Sequence, residues 1–356
     1  MSALKFTGPV LPDGESRDLY VVDGRVTFEA QPGAETAARG WIVPGLVDAH
    51  NHLGMEDHGA VGDDEVEDQA LADRDAGALL LRDCGSPADT RWVHERDDLP
   101  RLVRAGRHIA RTRRYIRSYA HEVEPAELSA YVAQEAQAGD GWVKLVGDWI
   151  SRDAGDLAPS FPQESFAEAI EVAHRHGAKV TAHCFGHEVL QGLLDAGIDC
   201  IEHGTGLALE QVEQMAAAGV ALVPTVMQTD KFPGFAAQGR EKFPAYAATM
   251  DQLHARRREV LMSAHEAGVP LYVGSDGGGA QRHGHLAGEV LAMAQLGMPA
   301  ADVLAAASWK AREWLGFDGL VEGAGADFVV YDRDPAQDLT ALWEPACVVL
   351  RGRVVA

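Results

Sequence analysis

The chain has 356 residues, 46% of them hydrophobic and 24% charged, with a formal net charge of -23. That is more than one small domain needs, and the acidic balance excludes nucleic acid and an anionic membrane surface as natural partners. The N-terminal stretch has no charged segment followed by an apolar one, and no apolar run reaches about 18 residues, so neither a signal peptide nor a membrane span is expected. The four scattered cysteines contain no Cys-x-x-Cys pair, which reads as a reduced, cytoplasmic protein without a disulfide framework.

In chain order, residues 4–40 show short alternating strands with Gly and Asp turns, "VVDGRVTF" being a hairpin signal. Apolar strands follow at 41–50, 78–83, 141–147, 178–183, 198–203, 219–226 and 269–276, with a weaker one at 102–110. Amphipathic helix patterns lie between them, for example at 125–137, 162–177 and 248–268. Gly177, Gly197, Gly219 and Gly268 each stand after a helix and before a strand, the place for a left-handed cap. Continuous apolar strands alternating with helices predict a parallel sheet covered on both sides, and eight units predict a (β/α)8 TIM barrel over 41–319. Residues 320–356 return to short strands ("FVVY", "VVLRGRVV"). The two chain ends, 1–40 and 320–356, are expected to form one small β-sandwich domain.

Polar residues close several of these apolar runs. "GLVDAHNHLG" places His50 and His52 two apart, on one face of a strand. Lys144, His183, His203 and Asp276 end four later strands. Such groups are costly in a barrel interior unless paired or bound to a metal, and barrel enzymes carry their chemistry at these strand ends. Each alone has a plainer explanation: a core histidine, a Lys144–Asp148 salt bridge, an Asp276 that caps the turn "SDGGG". Their conjunction on five strands points to a metal centre.

"PGLVDAHNHL", "WVKLVGD", "TAHCFGH", "IEHG" and "GSDGGG", in this order, resemble the amidohydrolase superfamily. The nearest type is the binuclear, carboxylated-lysine group that holds prolidase-like and Xaa-Arg-dipeptidase-like enzymes. The resemblance implies two divalent metal ions, zinc by donor type, with His50, His52 and Asp276 on the more buried ion and His183 and His203 on the other. It implies a Lys144 carboxylated by CO2 and bridging both. The expected reaction is hydrolysis of an amide-type C–N bond in a small molecule (a dipeptide, an N-acyl amino acid or a similar amide) by a metal-bridging hydroxide, with Asp276 shuttling the proton. A cyclic amide, a carbamate or a urea is the alternative substrate. A mononuclear deaminase is the alternative enzyme and would not need Lys144; a non-catalytic metal scaffold is a further one.

Substrate contacts are less marked. Residues 101–123 form an arginine-rich island in which Arg113 could clamp a carboxylate, with Tyr119 and His121 in the same loop. Related prolidases place a tyrosine within two residues of the fifth-strand histidine. Here that position is Phe185, which has no hydroxyl to hold a carboxylate. His283, after the glycine run, is a further candidate contact. Homo-oligomer formation is left open by the sequence.

Overall fold

The computed structural model describes residues 3–356. Parallel strands Leu46–Asn51, Ala78–Asp83 and Arg101–Arg104 form one arc, and Trp142–Val146, Lys179–Cys184, Cys200–His203 and Ala221–Val223 another. A stretch at 271–273 joins the two ends: Leu222 bridges Leu271, and the Ala49 N–H donates to the Val273 carbonyl. The amide of Asp140 donates to the Arg104 carbonyl between the third and fourth strands. The result is a (β/α)8 barrel with a small β domain beside it. The weak stretch at 102–110 resolves into the third strand and a separate segment, Ile109–Arg111, which pairs with His121–Val123.

Alternation along each strand sorts side chains between the helix-facing shell and the lumen. Leu79, Leu81, Val143, Leu145 and Val180 pack outward against helices. Val47, Leu80, Trp142, Cys200, Ala221 and Tyr272 fill the barrel floor. Above the floor, the next inward positions are Arg82, Lys144, Thr181 and Glu202, which touch one another. The next again are at the mouth. In the first strand the pairing with Ala78–Asp83 slips between Asp48 and Asn51. This bulge lets His50 and His52 face inward although Val47 and Ala49 already do.

The run at 41–50 is two strands, not one. Trp41–Pro44 pairs antiparallel with Phe328–Tyr331 in the small sheet, and Gly45 separates it from the barrel. A side chain at Gly45 would collide with Leu79, its Cβ lying 2.8 Å from the Leu79 Cβ. The small sheet has eight strands among the described residues and draws on both chain ends, with Phe6, Leu19, Val26, Phe328 and Val349 in its core. No helix among the described residues is long and apolar enough to cross a membrane.

Candidate active site

The strand ends bring six polar side chains to the barrel mouth. His50 Nε2 lies 3.1 Å from His52 Nε2, and Asp276 Oδ1 lies 3.0 and 3.2 Å from those two nitrogens. His203 Nε2 lies 2.9 Å from His183 Nδ1. All four imidazoles are buried. Three lone-pair-bearing atoms converge at His50, His52 and Asp276, where protons cannot relieve every contact at once. A cation at their centre would. His203 and Asp276 also hold left-handed backbone, with φ of 65° and 56°. For a residue other than glycine that costs about 1–3 kcal/mol, a strain typical of functional sites.

Neighbouring groups fix which ring nitrogen faces inward. His52 Nδ1 donates to the Gly85 carbonyl at 2.7 Å, which leaves Nε2 with its lone pair toward Asp276. His203 Nδ1 sits 2.6 Å from Thr225 Oγ1, leaving Nε2 toward His183. Second partners of this kind orient metal-binding histidines. Burial drives the His50 pKa down to about 3 and those of His183 and His203 well below the usual imidazole range, so the neutral, metal-binding form prevails. His50 Nδ1 and His183 Nε2 have no protein partner. The donor set, four imidazoles and one carboxylate, suits zinc or a similar divalent ion.

Lys144 is 1% exposed, and burial lowers its pKa. Its charge is felt by His50, His183 and His203 alike, which puts it in reach of both histidine pairs. Its Nζ contacts Glu202 and not Asp148. Glu202 accepts from Thr181 Oγ1 at 2.7 Å and faces Arg82 at 3.5 Å, and the Arg82 guanidinium stacks 4.1 Å over the Trp142 ring. Asp148 instead accepts the Phe185 and Gly186 amides at 2.9 and 2.5 Å, while burial raises its pKa to about 7. It shapes the turn that follows His183.

A cavity of about 390 Å³ opens above these groups. Its wall is largely aromatic: Tyr115, Tyr119, Trp149, Phe185 and Tyr246 line it. Tyr119 and Phe185 are therefore at the pocket. Arg113, His121 and His283 do not line it. The Arg113 amide donates to Glu122, His121 pairs with Glu135 at 3.0 Å, and His283 pairs with Asp73 at 2.8 Å. The rest of the arginine island is largely engaged elsewhere: Arg101 with Asp327, Arg104 with Asp140, Arg111 with Glu124, and Arg107 and Arg114 with backbone carbonyls.

Several residues in the pocket and around it carry no clear sequence signal. Lys231 and Tyr115 come from loops, where no periodicity marks an inward side chain. His108, stacked on His52 with ring centroids 4.9 Å apart and both ring nitrogens unpartnered, lies inside the weak strand pattern at 102–110, which does not mark it as inward. Glu202 and Arg82 were visible as charges inside apolar runs, "CIEHG" and "ALLLRD". The buried Glu289 carboxyl accepts the Val226 and Met227 amides, at 2.5 and 2.9 Å, and so holds the short helix Val226–Thr229 that leads to Lys231.

An uncharacterized protein of Mycobacterium tuberculosis is 51% identical over 353 residues, spanning 98% of this chain and 95% of that one. Two solved structures superpose over 99% of both chains. One is a Xaa-Pro dipeptidase with methionine in its active site (TM-score 0.82, 21% identity), and the other a prolidase complexed with N-methylphosphonate-L-proline (TM-score 0.81, 22% identity). At that identity the likeness is one of fold. The amidohydrolase family model matches residues 41–355, which takes in the whole barrel and the C-terminal strands. Barrel, strand-end histidines and family match agree: the chain belongs to the amidohydrolase family and is a hydrolase.

Proposed function

We propose that the chain hydrolyses an amide-type C–N bond of a small molecule (a dipeptide, an N-acyl amino acid or a similar amide) with two divalent cations, zinc by donor type. The convergence of His50 Nε2, His52 Nε2 and Asp276 Oδ1 within 3.2 Å of one another carries this reading. His50, His52 and Asp276 would hold one ion, His183 and His203 the other, and Lys144, carboxylated by CO2, would bridge them. When bound, such ions act as Lewis acids that polarise the substrate carbonyl and lower the pKa of water.

The remaining steps belong to the protein. The aromatic wall binds the substrate and excludes bulk water. Asp276, its side chain 13% exposed and so open to the cavity, takes a proton from the attacking water and delivers it to the leaving nitrogen. Glu202 meets the Lys144 Nζ inside the barrel.

The test has two parts. Elemental analysis of the purified protein should give about two divalent ions per chain, one ion favouring a deaminase. A screen of dipeptides, N-acyl amino acids and cyclic amides, read as amine release against ammonia release, should then show amine release. Two bound ions with turnover of none of these classes would overturn the reading.

A further inference from the structure

The pocket wall has two poles. On one side Tyr115, Trp149 and Phe185 stand over His183, with ring centroids 5.9, 5.3 and 4.2 Å from the imidazole. On the other is Lys231, at the turn before the helix Phe232–Gly239. Its Nζ makes one hydrogen bond, to the Ala280 carbonyl at 3.3 Å. Ala280 lies four residues after Asp276, in the glycine loop that closes the same side of the pocket.

The other charged lining groups are Asp57, Lys144 and Asp276. Lys144 is tied to Glu202, and Asp276 to the histidines. Asp57 adds a favourable field at Lys231, yet among the described residues no carboxylate lies within ion-pair distance of the Lys231 ammonium. Among the described residues no arginine lines the cavity; Tyr115, Tyr119 and Tyr246 offer neutral hydroxyls there, and Phe185 offers none. Lys231 is thus the pocket cation with hydrogen-bonding capacity to spare: an ammonium has three donors, and one is used.

We propose that Lys231 is the specificity residue that receives a carboxylate on the leaving-amine half of the substrate, while the aromatic wall receives an apolar acyl half. This rests on reading the pocket as an amide-hydrolysing site. The polarity follows from position. Lys231 is tied to the loop that follows Asp276, where the departing nitrogen is protonated, and Tyr115, Trp149 and Phe185 stand on the His183 side. The substrate class that fits is an apolar or aromatic acyl group joined through an amide to an amino acid with a free carboxylate.

The experiment uses the zinc-loaded protein and a matched pair of substrates, an N-benzoyl amino acid and its C-terminal carboxamide. In wild type, kcat/KM should favour the free carboxylate. In Lys231→Met that preference, the ratio of the two kcat/KM values, should fall about 10- to 100-fold, chiefly through KM, as expected for loss of a charge-assisted hydrogen bond. Lys231→Arg should restore part of it. Metal content measured alongside should stay at the wild-type level. An unchanged ratio in Lys231→Met, or equal losses on both substrates, would overturn the assignment. Turnover of neither member by a fully metallated wild type, with other amides cleaved, would also overturn it while sparing the hydrolase reading; no amide cleaved at all would remove that reading itself.

Discussion

Thr225→Val isolates how an imidazole is aimed. Thr225 is fully buried, its Oγ1 is 2.6 Å from His203 Nδ1, and its backbone is left-handed with φ of 43°. Valine matches threonine in shape and carries the same branched Cβ, so backbone strain and packing change little. What disappears is the acceptor for the Nδ1 proton. A buried donor left unpaired costs about 1–3 kcal/mol, and loss of an orienting partner costs about 10- to 100-fold in metal affinity, two independent figures that agree at 1.4 kcal/mol per tenfold. Zinc affinity measured by competition with a chromophoric chelator should therefore fall by that factor at one of two sites. Thr225→Ser, which keeps the hydroxyl, should stay near wild type. Equal affinities in wild type, Thr225→Ser and Thr225→Val would show that His203 needs no such partner, and would refute the ligand role given to it.

Lys144→Met should cut the metal content from about two ions per chain towards one and abolish turnover; both ions and full activity retained would reject the bridge. Asp276→Asn should leave the barrel folded, as judged by circular dichroism, and lower kcat by about 10²- to 10⁴-fold, a mild loss being incompatible with a proton shuttle. Glu289 gives a pH signature. Burial lifts its pKa from 4.5 to about 8, so its contribution to stability is complete below about pH 4.5 and is lost as pH rises through 8, where the carboxyl must ionise inside the protein. Urea midpoints of wild type should fall between pH 5 and 8, and Glu289→Gln should fall less steeply over that range; parallel curves would show that Glu289 does not titrate there.

The barrel was legible because its strands are covered on both faces and therefore read as unbroken apolar runs. The mouth was legible for the converse reason: an imidazole, an ammonium or a carboxylate at the end of such a run stands out. Trp41–Pro44 shows where this fails. It looks continuous with Leu46–Asn51, and only its pairing with Phe328–Tyr331 moves it into the small sheet. The arginines of 101–117 drew attention by charge, yet their geometry directs most of them to nearby carboxylates and carbonyls. Lys231, by contrast, is one cation in an unremarkable loop. Its inward placement depends on the turn after Thr225 and on Glu289, sixty-odd residues onward, gripping the Val226 and Met227 amides.

The pairing of Trp41–Pro44 with Phe328–Tyr331 also sets an order of events during synthesis. The strands of residues 4–44 pair among themselves, but they leave the ribosome without Phe328–Tyr331 and Cys347–Leu350, so the Trp41–Pro44 edge and the hydrophobic face stay uncovered while the whole barrel is made. Their sheet can close only after translation has passed the last barrel helix. A chain stalled or cleaved before residue 328 would expose Phe6, Leu19 and Ile42 together, which makes this seam the place where aggregation of incomplete chains should begin.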